Sequence, residues 1–397
     1  MSSLTKIIFF IIIFYSSLIA QTFTSFVQKL ERLPIHQREV SAVQFLRSIN
    51  TTPFIEQDSL LHFIWYGNAS SVLINGNLQH WNLPDTLKQI SCGEKSFFFK
   101  SFFAPTNARL DYQLIVDGTY QLDSLNPRIT PSGFGPHSEV RMSKFVSSKY
   151  IAIRDSIERG KIDTVSLYAF IPSPLKQYLM AGRMITVYRP AGYDTLSELS
   201  SVYIHDGNDA IAFAHVPTIL DNLIADKKIP PVIAVFIPSV NRGAEYVGDF
   251  RDRYVKLLCD ELVPAIDKKY KTNRSSSHRA MMGISNGGHI SLYTVLKRLD
   301  VFHLVGGQSS TITPWLTELT RQRAKEHALS PTVKIYFDVG RFDIKQDDVD
   351  FLELNRSYSN LLSSFHIPHY YKEVNDGHEW ANWRERMPEM LIYFFGK

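Results

Sequence analysis

At 397 residues, and with roughly 150 residues to a domain, the chain holds two or three folding units and is too long for a single small binding module. Hydrophobic residues at 44% against charged residues at 21% place it among globular proteins with a sizeable core and exclude intrinsic disorder. A net charge of +4, spread along the chain without a block of like charge, excludes an electrostatic nucleic-acid binder, so no nucleic-acid partner is expected.

Lys6 is followed by an apolar run from Ile7 to Tyr15 and by a small, neutral stretch from Ser16 to Ala20, which reads as a signal peptide over residues 1–20, with the mature chain starting near Gln21. The run is shorter than the roughly 20 residues a membrane-spanning helix needs. A secreted or periplasmic protein without stable membrane insertion is expected, an uncleaved anchor being the alternative. Cys92 and Cys259 fall in different units, so neither a structural disulfide nor a metal site is expected.

Residues 21–58 form an expected helical extension in which Val40 to Ile49 has helical spacing. From 59 to 146 the pattern changes to short strand-like runs, Leu60 to Tyr66, Ser71 to Asn75, Ser96 to Phe102 and Tyr112 to Val116, punctuated by turn formers such as Asn75-Gly76-Asn77 and Asp117-Gly118. That rhythm predicts a small antiparallel sandwich. A polar segment, 147–163, reads as a linker.

From 164 to 397, apolar strand runs alternate with helical segments, predicting an α/β unit with a mostly parallel sheet covered on both faces. The expected strands are Val165 to Ile171, Met184 to Tyr188, Ser201 to Ile204, Val232 to Ile237, Ala280 to Ile284, Leu304 to Gly306, Val333 to Asp338 and Tyr370 to Val374. The expected helices include Ala212 to Ala225, Tyr254 to Tyr270 and Gly288 to Leu299.

The run Gly283-Ile284-Ser285-Asn286-Gly287-Gly288 joins an apolar strand to an apolar helix through the spacing G-x-S-x-G. Glycines there let strand and helix approach while the serine hydroxyl projects above the sheet edge. A serine needs a base to take its proton. His378, in Asp376-Gly377-His378-Glu379-Trp380, follows the last expected strand and is the best placed of the 13 histidines. Asp343, reached from the strand ending at Asp338 through a glycine turn, is the candidate to orient the imidazole, with Asp338, Asp347 and Asp348 as rivals. The developing oxyanion needs two donors. The N–H of Asn286 is one; Gly207, turning its N–H inward, is the other, with Asn208 as the alternative.

Together with Tyr188-Arg189-Pro190-Ala191-Gly192-Tyr193, His205-Asp206-Gly207, Asn241-Arg242-Gly243-Ala244-Glu245-Tyr246, Glu261-Leu262-Val263-Pro264 and Trp383, these motifs resemble the esterase family that includes enterochelin (ferric enterobactin) esterases, esterase D-like enzymes and feruloyl and acetyl-xylan esterases. The resemblance implies an α/β-hydrolase domain preceded by a small all-β, early-set immunoglobulin-like domain. It implies Ser285, Asp343 and His378 as nucleophile, acid and base, Gly207 and Asn286 at the oxyanion hole, and Arg242 and Glu245 near the cleft, where they could equally form an Arg–carboxylate pair fixing a loop. Trp380 is a further cleft candidate. Trp81 reads as a core residue, a sugar-stacking platform being the alternative.

The expected function is that of a secreted serine esterase acting through an acyl-enzyme on a small-molecule or glycan-linked ester, a siderophore or polysaccharide-linked acyl ester among them, with no cofactor. A non-catalytic glycan-binding protein on a hydrolase scaffold is the alternative.

Overall fold

Phe23, Phe26, Val27 and Leu30 recur at helical spacing, and the Thr22 hydroxyl accepts the Ser25 N–H at 3.2 Å, so the first helix runs Phe23–Arg32. Pro34 precedes a second helix, Ile35–Ser48. The expected single helix from Val40 is therefore a pair, starting earlier. The computed structural model describes residues 22–49, 51–166, 183–327, 329, 332–347 and 349–396; the expected signal peptide, the end of the expected strand at 167–171 and Asp348 lie outside them.

Both helices lie on a four-stranded antiparallel sheet ordered Phe54–Glu56, Leu60–Gly67, Ser96–Phe103, Lys88–Ser91. Phe23, Phe26 and Leu30 pack on Ile64, Ile90 and Phe97, while Leu61, Phe63 and Phe98 point the other way, toward Ile74, Leu110 and Val140 of a second sheet. That second sheet runs Asp85–Thr86, Val72–Gly76, Arg109–Val116, His137–Arg141, Ile129–Thr130. Because Leu60–Gly67 is covered on both faces, it reads as an unbroken apolar run instead of an alternating one.

The C-terminal part is built on eight strands in the order Lys161–Ser166, Met184–Arg189, Val232–Ile237, Ser200–His205, Arg279–Ile284, Leu304–Gln308, Lys334–Phe342, His369–Gly377. The first two pair antiparallel to their neighbours and the remaining six are mutually parallel. In Val232–Ile237 the residues Ile233, Val235 and Ile237 enter one core and Val232, Ala234 and Phe236 the other, so helices cover both faces. The chain order reverses beside Ser200–His205, which opens a crevice at the carboxyl ends of the strands.

Two helices differ from expectation. His215 adopts a left-handed φ of 51° and Pro217 enters the next first turn, so the expected Ala212 to Ala225 helix starts only at Val216, after a separate short helix Gly207–Ala212. The expected Tyr254 to Tyr270 helix is continuous but widens to a π turn over Leu258–Leu262, just ahead of Pro264. A proline ring would otherwise collide with the carbonyl four residues back.

The segment read as a linker is held along the large sheet's helices: Ser147 Oγ donates to Glu385 Oε1 at 2.6 Å, and Asn222 Nδ2 donates to the carbonyls of Tyr150 and Ala152 at 2.8 Å each. Its last residues already belong to the strand Lys161–Ser166. Deeper between the two halves, Arg109 is buried and donates to Glu139 Oε1 at 2.6 Å, to Asp111 Oδ2 at 2.7 Å and to Asn382 Oδ1 at 2.6 Å. Truncating it would strand two buried carboxylates. Arg109→Ala is expected to cost about 3 kcal/mol, measured by chemical denaturation.

Candidate active site

Five neighbouring parallel strands stop at the same edge, and the first residue beyond each is polar: Asp206, Ser285, Ser309, Asp343 and His378. The first three turn off with positive φ, of 51°, 57° and 46°. That conformation is strained for a residue with a Cβ and persists only where the surroundings enforce it. At Ser285 they do: its N–H donates to the Gln308 carbonyl at 2.9 Å and its own carbonyl accepts from Thr311 and His289, each at 3.1 Å. A Cβ on Gly283 would lie 2.3 Å from the Gly287 carbonyl oxygen, so the G-x-S-x-G glycines mark the close approach of strand and helix.

His378 Nδ1 lies 2.6 Å from Asp343 Oδ1. The same oxygen accepts the Ile344 N–H at 2.8 Å, and Ser309 Oγ donates to Oδ2 at 2.5 Å. Trp383 Nε1 in turn donates to Ser309 Oγ at 3.0 Å. Burial alone would push the Asp343 carboxyl up; the imidazole, the hydroxyl and the backbone N–H outweigh it and hold the group below the ordinary carboxylate range. The His378 ring sits edge-on between Phe351 and Trp383, at 4.9 and 4.7 Å between centroids. Of Asp343's rivals, Asp338 is buried lower in the sheet and accepts from Arg386 at 2.8 Å, and Asp347 is exposed.

Ser285 and His378 line one cavity of about 620 Å³. Arg242, Trp380 and Trp383 line it too. Arg242 Nε donates to both oxygens of Asp206 at 3.0 Å and its Nη2 to the Ile284 carbonyl at 3.1 Å, so it braces the two strand ends. Glu245 is not on the cavity: it is buried beneath it and paired with Arg183, instead of with Arg242. Asn286 opens the helix Asn286–Lys297, so its N–H has no intrahelical acceptor.

Two expectations at the other strand end need correction. The left-handed turn is made by Asp206, while Gly207 is required by packing, a Cβ there lying 2.5 Å from the Ile237 nitrogen. Asn208 is exposed on the helix Gly207–Ala212, whereas Gly207 is buried; neither of them, nor Asn286, is among the residues whose atoms line the cavity.

The N-terminal sheets supply the facing wall, which sequence reasoning missed. Trp81 is not a core residue: it is half-buried, lines the cavity, and packs on His137 at 4.7 Å. Asn75, Gln113, Tyr120 and Phe134 line the same wall. The wall is tied to the loop that carries Asp343: His80 Nδ1 donates to the Asp343 carbonyl at 2.7 Å, Asn82 Nδ2 to that of Lys345 at 3.0 Å, and Gln346 Nε2 to that of Trp81 at 2.9 Å. Ser309 was also missed: it follows the strand Leu304–Gln308, which runs two residues past the expected end at Gly306. Among the described residues no group of three or more His, Cys, Asp or Glu could hold a metal ion, and no helix is long and apolar enough to cross a membrane.

The strand order and the sharp exit at Ser285 define a hydrolase of the α/β class. The chain belongs to the esterase family, residues 177–394 matching the family described as "Putative esterase", and it is a carboxylic-ester hydrolase. It is 25% identical over 210 residues to the uncharacterized protein YjcH of Bacillus subtilis, covering 50% of this chain and 86% of that one. It is 27% identical over 262 residues to an endo-1,4-beta-xylanase/feruloyl esterase of Xylanibacter ruminicola, covering 62% of this chain but 33% of that protein. The fold is similar to that of the enterobactin esterase of Shigella flexneri, with a TM-score of 0.67 at 16% identity over 86% of this chain and 94% of the other.

Below His378, Asp376 is buried 3.3 Å from Arg386 Nε, and burial pushes its carboxyl up to about 7. In the unfolded chain it would ionise near pH 4. Between these values the folded protein keeps a proton the unfolded chain releases, so stability falls as pH rises from about 4 to 7. Asp376→Asn is expected to flatten this slope: the melting temperature of the parent drops several degrees more between pH 5 and pH 8 than that of the variant.

Proposed function

We propose that the protein is a secreted serine esterase. The observation that carries this reading is the hydrogen-bonded Asp343–His378 pair beside a strained Ser285 in one cavity. In this mechanism His378 Nε2 takes the proton of the Ser285 hydroxyl as its oxygen attacks the ester carbonyl. Asp343 fixes the tautomer through Nδ1 and stabilises the imidazolium. The N–H groups of Asn286 and Gly207 receive the oxyanion. His378 then protonates the leaving alcohol, and water, activated by the same imidazole, releases the acyl group and restores Ser285.

The substrate is a carboxylic ester whose larger part is held by the N-terminal wall. Support for a small-molecule or glycan-linked ester comes from the similarity to a xylanase/feruloyl esterase and, in fold, to an enterobactin esterase. Export rests on residues 1–20 acting as a signal peptide; the intact mass of the exported protein should then correspond to a chain starting at Gln21.

Ser285→Ala is expected to lower kcat/KM on short p-nitrophenyl esters by about 10⁴-fold or more and to abolish labelling by a fluorophosphonate probe. Cleavage at the parent rate would remove Ser285 from the mechanism. Absence of labelling in the parent would favour the non-catalytic, glycan-binding alternative.

A further inference from the structure

The cavity that holds Ser285 has a distinctive charge pattern. Among the described residues lining it, Arg242 is the only lysine or arginine, against the three carboxylates Asp206, Asp209 and Glu379. Arg242 is committed to Asp206, and Glu379 Oε1 lies 3.1 Å from His137 Nδ1. Asp209 is left over. Its carboxylate has no side-chain hydrogen bond or ion pair among the described residues, and it feels Arg242 only through space. Much of the remaining wall is aromatic, with Trp81, Trp380 and Trp383 within and Tyr120 and Phe134, 54% and 87% exposed, at the rim; the rest, Asn75, Gln113, Ile284 and Ile344 among it, is uncharged.

Both features act in one direction. Aromatic faces carry negative electrostatic potential, which repels anions and attracts cations. An unneutralised carboxylate in a cleft partly shielded from water does the same, more strongly than on an open surface.

We propose that this cleft selects esters without negative charge, accepting a cationic group beside Asp209 in preference to an uncharged one, and rejects polyanionic esters such as an iron tri-catecholate. This inference rests on the ester-hydrolase reading above and names the substrate class of that site. An anionic ester entering the cavity meets no uncommitted lysine or arginine among the described residues, and its desolvation goes uncompensated. A quaternary ammonium meets indole and phenol faces and the Asp209 carboxylate.

The test uses the benzoate esters of choline, of 3,3-dimethylbutanol and of 3-hydroxypropanoate, which place a positive, a neutral and a negative group at a similar distance from the scissile bond. Each kcat/KM, divided by the hydroxide-catalysed rate of the same ester, is expected to fall about fivefold or more from choline to dimethylbutyl and again to the carboxylate, and 0.5 M salt should compress the series. Asp209→Asn should lower the choline-to-dimethylbutyl ratio about fivefold, and Asp209→Glu should retain it. A carboxylate ester cleaved as fast as the neutral one, or a ratio unmoved in Asp209→Asn, overturns the inference and leaves the esterase reading standing. Should none of the three be cleaved, the ranking is read as protection of Ser285 from the fluorophosphonate by the three alcohols, equal protection overturning the inference. Failure of the probe to label Ser285 at all overturns the mechanism itself and this inference with it.

Discussion

The contact on which the site depends is the hydrogen bond between His378 Nδ1 and a carboxylate that water does not reach. An ionised carboxyl in such surroundings costs several kcal/mol unless its lone pairs are filled. The local structure is organised to fill them. Ser309 leaves its strand with left-handed backbone and brings its hydroxyl to one oxygen, the Ile344 N–H comes to the other, and Trp383 supports Ser309 from behind. The strain at Ser309 is a local cost offset by the charge it stabilises. Arg386 and Asp338, farther down, belong to a separate buried cluster.

The same logic explains why the N-terminal sheets face the strand ends. The loops after Lys334–Phe342 and His369–Gly377 are irregular, and a loop left to itself would not hold a carboxylate and an imidazole within hydrogen-bond reach. His80 and Asn82 grip the loop that carries Asp343 by its backbone carbonyls. Arg109 reaches Asn382, which in turn donates to the Gly377 carbonyl at 3.0 Å, next to His378. The sheets thus form one wall of the cavity and the brace behind it.

Much of the large sheet was legible because its central strands, Val232–Ile237 and Arg279–Ile284 above all, are buried on both faces and so carry apolar runs. Ser285 was legible for the same reason, with glycines marking a close approach that only a strand-to-helix turn requires. Asp343 and His378 could be placed by following their strands to the end, although those strands extend four and three residues farther than the expected runs. What stayed hidden depends on tertiary pairing. Nothing local distinguishes Trp81, on a left-handed turn of the first half, from a core tryptophan; its role appears only once the second half is set opposite. Glu245 was placed at the cleft by its motif, yet its partner Arg183, just ahead of the strand Met184–Arg189, holds it buried away from the cavity. Gly207 looked like the turn itself, while the residue before it bends and the glycine makes room.

The bonds from His80, Asn82 and Gln346 across the crevice have a further consequence. In many hydrolases the recognition surface can be exchanged as a module while the reactive centre is left alone. Here the loop that carries Trp81 also clamps the backbone around Asp343, so grafting a new N-terminal region would alter the cavity wall and the rigidity of the Asp343–His378 pair in a single stroke. Selection acting on one of these properties inevitably drags the other along.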